Sequence, residues 1–133
     1  METSLQDLLG AINDGRVLTP DVFGALDCDE ILESRENEGD FDERWNKCMT
    51  SVEKGWAEEE PTQDVELLID EIREISFEIA NHATEQHDLA SHISDDFDLF
   101  ARVIVLERHD AFAEALWEAY ENGEIPSPAT LNE

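Results

Sequence analysis

The stretch TQDVELLIDEIREISFEIANHATEQ, residues 62–86, indicates the fold most clearly because its apolar residues recur at helical spacing. Steps of three, four and seven residues place side chains along one face of an α-helix. Thr62 is a suitable N-cap, and the acidic residues of the first turn complement the helix dipole. The stretch predicts an amphipathic helix over residues 62–86. Its apolar stripe would contain Val65, Leu68, Ile69, Ile72, Ile75, Ile79 and Ala83.

Start and stop signals predict three helical segments before this helix. Ser4 is a suitable N-cap for a first helix over residues 5–13. Thr19-Pro20 begins a second segment, because proline is pre-shaped for the first helical turn, and this segment ends at residues 37–39. A break of the second segment around residues 27–29 stays open. A third helix over residues 40–54 would end at Gly55.

The C-terminal part of the chain predicts one long helical stretch over residues 95–121, opened by Ser94 after a hinge at residues 87–94. A kink at His109-Asp110 stays open. Residues 97–106 are apolar nearly all round, and a helix of that kind is usually buried on every side. Val103-Ile104-Val105 also reads as a strand, but no second β-like run is available to pair with it.

Asn122-Gly123 is a C-cap signal, and the prolines that follow predict an extended tail over about residues 123–133. Taken together, the segments predict an all-α fold. We expect a single acidic helical domain over residues 1–133, a bundle of about five to six helices with an apolar C-terminal helix at its centre.

The charge of the chain limits its partners. There are 35 Asp and Glu residues against 8 Lys and Arg, so the formal net charge is -27. Direct binding to nucleic acid or to an anionic membrane is not expected, because both need clustered cations. Residues 1–4 are polar and acidic, and the longest apolar run is four residues, so we expect neither a secretory signal nor a membrane span. These features predict a cytoplasmic protein.

No catalytic motif appears in the sequence. The patterns GxxxxGK, GxGxxG and GxSxG are absent. His82, His87 and His92 are five residues apart, so successive side chains are turned by about 140° on a helix and do not share a face. We therefore expect no enzyme activity, no catalytic residues, no cofactor and no metal site.

Carboxylates along the predicted helix at residues 62–86 form two lines that meet at Glu78. One line steps by four residues from Glu66, a rise of about 6 Å per step, and the other steps by seven from Asp64. Arg73 is the one basic interruption. Carboxylates at this spacing present a phosphate-like field to a basic cleft. The predicted partner-binding residues are Asp64, Glu66, Asp70, Glu71, Glu74, Phe77, Glu78 and Glu85.

Two apolar residues lie away from the apolar stripe of this helix. On a helical wheel Phe77 falls between Glu66 and Asp70, and Leu67 is also across from the stripe. Packing of a second helix would explain Phe77. A hydrophobic anchor inside an acidic rim is the alternative explanation, since such anchors slow the dissociation of charged inhibitors.

The physical profile therefore resembles that of DNA-mimic inhibitors, such as viral anti-restriction and anti-CRISPR proteins. It predicts a non-enzymatic acidic inhibitor that occupies the basic nucleic-acid-binding cleft of a partner protein. An alternative is an immunity protein that neutralises a cationic nuclease toxin by the same electrostatics. A third hypothesis is a helical adaptor domain whose charge reflects a high-salt cytoplasm. The sequence does not separate the first two hypotheses.

Overall fold

Seven α-helices follow one another in this computed structural model, which describes residues 2–24 and 26–131, and no strand occurs in that part of the chain. Buried side chains of six helices form one hydrophobic core, and α3 packs against it through the half-buried Cys28, Ile31 and Leu32. The all-α prediction is confirmed, although the helices are more numerous than the five to six expected. The helices are α1 (Leu5–Asn13), α2 (Pro20–Phe23), α3 (Cys28–Asn37), α4 (Phe41–Glu59), α5 (Gln63–Thr84), α6 (His87–Val105) and α7 (Ala111–Glu121).

Local signals locate the starts of the N-terminal helices correctly. The Ser4 hydroxyl accepts a hydrogen bond from the first turn of α1, and Pro20 is the first residue of α2. The second segment is broken, but the break precedes the predicted residues 27–29: α2 ends at Phe23 and α3 begins at Cys28. Asp27 caps α3 by accepting a hydrogen bond of 3.1 Å from the backbone N–H of Glu30. Thr62 caps α5 as predicted.

The prediction that the third helix ends at Gly55 is wrong. This helix, α4, continues through Gly55 to Glu59. The glycine is buried, and a β-carbon there would collide with the Arg108 guanidinium. Arg108 Nη1 donates to both the carbonyl and the hydroxyl oxygen of Ser51 at 3.0 Å. Gly55 therefore leaves room for a side chain from the far end of the chain.

The predicted hinge at residues 87–94 is wrong, because α6 begins at His87. The chain reverses within two residues instead, and Glu85 adopts a left-handed conformation with φ 56°. Ser94 lies inside α6 and does not open a helix; its hydroxyl donates to the carbonyl of Arg73 on α5 at 3.0 Å. Small residues let α5 and α6 pack closely side by side, and Ser76, Ala80 and Ala90 are fully buried between the helices and the core.

The predicted helix over residues 95–121 is two helices. α6 ends at Val105 and α7 begins at Ala111, where the Asp110 carboxylate caps it by accepting from Ala113 N–H at 3.0 Å. The expected kink at His109-Asp110 is this break. The central apolar segment is confirmed for residues 97–101, but it belongs to α6 and not to the C-terminal helix, and residues 104–106 are only half-buried. Phe97, Leu99, Phe100 and Ala101 are 0% exposed.

Aromatic rings join α6 to α7 in the centre of the core. The rings of Phe97 and Phe100 lie against those of Trp117 and Tyr120, with centroids 5.0–6.2 Å apart. Edge-to-face contacts of this kind add to the stabilisation from burial. The two helices thus form the centre of the core, and α5 packs against its α6 side.

The apolar stripe of α5 differs from the prediction near its C-terminal end. Ile69 and Ile72 are buried as expected, but Ala83 is exposed. Ser76 and Ala80 occupy the buried positions there, because α6 approaches closely and admits only small side chains. The stripe is therefore turned toward these small residues.

The chain after α7 runs back over the core. Gly123 adopts a φ of 79° next to the C-cap Asn122, and residues 125–128 are buried. The last two residues of the predicted tail, 132 and 133, lie outside the described residues. No described helix is both long and apolar enough to cross a membrane.

Candidate partner-binding surface

The predicted acidic residues all lie on the solvent side of α5. We call this surface the acidic face; its carboxylates are all exposed, and Glu85 follows immediately after the helix. Its members are Asp64, Glu66, Asp70, Glu71, Glu74, Glu78 and Glu85. From Asp64 to Glu78 the helix rises about 21 Å. A single rigid helix therefore presents a long surface of negative charge.

Among the described residues, the carboxylates of the acidic face have no ion-pair partners. No ion pair between described residues involves any of them. Arg73, the basic residue within the lines, reaches across to α6 instead. Its Nη2 lies 3.2 Å from Asp95 Oδ1 and its Nη1 lies 2.9 Å from Asp98 Oδ2. The negative field of the acidic face is therefore left uncompensated toward solvent.

The two apolar residues opposite the stripe have different surroundings. Phe77 is half-buried against the core, and its ring makes an edge contact with His87, with centroids 4.9 Å apart. Leu67 is 57% exposed and is the one large apolar side chain that is exposed within residues 2–24 and 26–131. The sequence alone did not distinguish these two environments.

A family model described as Immunity protein PIM1 matches residues 7–127. The chain belongs to this family. The matched region runs from α1 to the segment after α7 and so includes the acidic face. No curated protein matches the chain significantly.

In this member of the immunity-protein family Arg73 and Arg102 bind Asp98 of α6, whereas Arg16 forms an exposed ion pair with Glu2. Arg102 Nε lies 3.1 Å from Asp98 Oδ1, and its guanidinium stacks 4.8 Å above the Trp56 ring. Asp98 is buried and forms ion pairs with both Arg102 and Arg73. Because 35 Asp and Glu residues stand against only 8 Lys and Arg residues, arginines that bind inside the fold leave few cations for the surface.

A buried polar cluster around Asp96 joins four helices. Arg35 of α3 binds the carboxylate in a bidentate manner, at 2.9 and 2.7 Å. Trp45 Nε1 of α4 donates to Asp96 Oδ1 at 2.8 Å, and the Tyr120 hydroxyl of α7 donates to Oδ2 at 2.6 Å. Asp96 is 0% exposed. The cluster holds α3 and α4 on the α6–α7 core, and sequence reasoning missed it. The available signal was a group of acids, Asp95, Asp96 and Asp98, at the start of the apolar segment.

The ionisation of this cluster follows from its burial. Burial alone would lower the pKa of Arg35, but the charge of Asp96 and its hydrogen bonds raise that pKa above the ordinary value. Burial raises the pKa of Tyr120 well above its usual range, and the negative charge of Asp96 raises it further. Arg35 therefore stays charged and Tyr120 stays neutral, which keeps the donors and acceptors matched.

A shallow cavity of about 150 Å³ opens beside this cluster between α3, α4 and α6. Trp45 and Phe41 form part of its wall, and His92 Nε2 lies 3.3 Å from Glu36 Oε1 at its edge. Burial raises the pKa of the nearby Asp95 carboxyl, while Arg73 opposes that rise. Within the described ranges, no three His, Cys, Asp or Glu side chains are grouped so that they could hold a metal ion.

Proposed function

We propose that the chain is an immunity protein that neutralises a cationic nuclease toxin by covering the toxin's nucleic-acid-binding surface with the acidic face. The observation that carries this proposal is the set of exposed carboxylates on α5, which form no ion pair with another described residue. Membership of a family described as immunity proteins supports a toxin as the partner. The charge of the face supports a cationic toxin.

Family membership favours the immunity hypothesis over a viral DNA mimic. Nothing in the fold or the family match favours an anti-restriction or anti-CRISPR role. The two hypotheses share one physical mechanism, in which carboxylates compete with phosphates for a basic surface. Neutralisation by occupation requires binding alone, so the chain needs no catalytic residue. Because a nuclease acts on nucleic acid inside the cell, the expected location is the cytoplasm.

The acidic face suits rapid capture of a cationic surface. Clustered charge of one sign raises association rates by about 10- to 1,000-fold, and the effect weakens with added salt. The side chains of α5 project from a helix that packs against α6, so the backbone that carries the carboxylates does not have to be ordered on binding. The face therefore combines steering with pre-organisation.

The test uses a candidate toxin, a cationic nuclease sought by screening the products of neighbouring genes for inhibition by this chain. The nuclease is purified and immobilised, and association rates are measured at about 0.1 and 1 M salt. The variant Asp70→Lys/Glu74→Lys/Glu78→Lys reverses three exposed charges on α5. We expect its association rate to fall at least tenfold at low salt, with loss of nuclease inhibition. Lysine is a good helix former, so circular dichroism should remain that of the parent.

The matched control is Glu53→Lys/Glu58→Lys/Glu59→Lys, which makes the same change in net charge at exposed positions of α4. This control should keep most of the association rate and the inhibition. Equal loss in both variants would mean that overall charge, and not the acidic face, decides binding. Unchanged inhibition by the α5 variant would reject the acidic face as the toxin-binding surface.

A further inference from the structure

Leu67 occupies the centre of the acidic face. At 100° per residue, Asp64, Asp70, Glu71 and Glu74 all lie within about 60° of Leu67 around the helix axis. The first three lie within about 6 Å of it along the axis, one turn above or below. A half-exposed leucine is thus surrounded by carboxylates, none of which forms an ion pair among the described residues.

One exposed leucine on a protein surface is ordinary and by itself indicates nothing. The position of Leu67 is what carries information. Among the described residues Leu67 is the one large apolar side chain that is exposed. It lies within the acidic face, where the surrounding charges are all negative. An apolar side chain at the centre of a polar rim is the usual arrangement of a binding hot spot.

We infer that Leu67 is the apolar anchor of the acidic face and that it inserts into an apolar pocket within the toxin's cationic surface. Because this rests on the proposed function, the occupant is the toxin itself. The carboxylates set the rate of encounter, whereas burial of Leu67 sets the lifetime of the complex. This restricts the class of possible partners, because a suitable toxin needs a pocket for one aliphatic side chain within its basic surface.

Phe77 fits the anchor role less well than Leu67. Phe77 lies about 80° around the helix from Leu67, at the edge of the acidic face. Its ring is half-buried against the core and contacts His87. The area that Phe77 has left to bury against a partner is therefore smaller and off-centre.

The experiment measures dissociation from the immobilised toxin for Leu67→Ala and Leu67→Glu. For Leu67→Ala, loss of the still-exposed 57% of a leucine side chain predicts about tenfold faster dissociation with an unchanged association rate. Leu67→Glu is the sharper variant, because it makes the face more negative. Electrostatics alone predicts tighter binding by Leu67→Glu, whereas loss of an anchor predicts faster dissociation.

The matched control is Thr50→Ala, an exposed position on α4, which packs against α3, α6 and α7. It should dissociate like the parent, and all three variants should keep the parent's thermal midpoint. If the parent binds the toxin and both Leu67 variants dissociate at the parental rate, the anchor proposal is wrong but the proposed function stands. A parent chain that does not bind the toxin would overturn the proposed function, and the anchor with it.

Discussion

Replacing Asp96 by asparagine tests how much the buried polar cluster around Asp96 stabilises the fold. The carboxylate accepts hydrogen bonds from Arg35, Trp45 and Tyr120, and it is 0% exposed. Asparagine keeps the shape of the side chain but removes its charge. The Arg35 guanidinium, 3% exposed, is then left inside the protein without a counter-ion. One amide N–H₂ group also faces donors that need an acceptor.

The expected loss of stability follows from this geometry. Removing one partner of a buried ion pair costs about 3–5 kcal/mol, because the remaining charge is desolvated and unpaired. We expect about 4 kcal/mol for Asp96→Asn. In a domain of this size that loss lowers the thermal midpoint by about 10–15 °C. The total stability of such domains is about 5–15 kcal/mol, so the variant should fold but be greatly weakened.

The assay is urea unfolding followed by circular dichroism, with Asp95→Asn as the control. Asp95 is adjacent in sequence, but its side chain is 44% exposed and lies 3.2 Å from Arg73. An ion pair at such a partly exposed position is worth about 1 kcal/mol or less. If Asp96→Asn lost no more stability than Asp95→Asn, the buried cluster would not hold the helices together as described.

Three further predictions concern stability and charge. Salt raised from about 0.05 to 1 M should increase the free energy of urea unfolding by about 1 kcal/mol, because three like-charged i,i+4 pairs on α5 are screened; a flat profile would contradict this. Burial and the neighbouring Asp110 raise the pKa of Cys48 from 9.0 to about 12. The contribution of the Cys48 thiol to the free energy of unfolding is therefore fully present below pH 9 and is lost as the pH rises toward 12. Cys48→Ala should remove up to about 1.4 kcal/mol per pH unit from that slope, and an unchanged slope would refute the assignment. Phe77→Ala should lower the free energy of unfolding by about 2 kcal/mol but alter toxin dissociation less than Leu67→Ala, and the reverse pattern would make Phe77 the anchor.

Most of the secondary structure was predictable because helix starts depend on neighbouring residues. The cap residues Ser4 and Thr62, and Pro20 at a first helical position, act within one turn of their own helix. The exposure of the acidic face was predictable for a similar reason. Once α5 buries its apolar residues, its period of 3.6 turns the carboxylates toward solvent.

The sequence by itself therefore determined an all-α chain and the charge of its longest helix. Tertiary structure decided the features that depend on which helices meet. Arg35 pairs with Asp96 across 61 residues, and Gly55 continues a helix because Arg108 fills the space beside it. Packing also half-buries Phe77 and leaves Leu67 exposed, although both lie opposite the apolar stripe of α5. Helical periodicity describes one helix at a time, whereas exposure depends on the neighbours that pack against it.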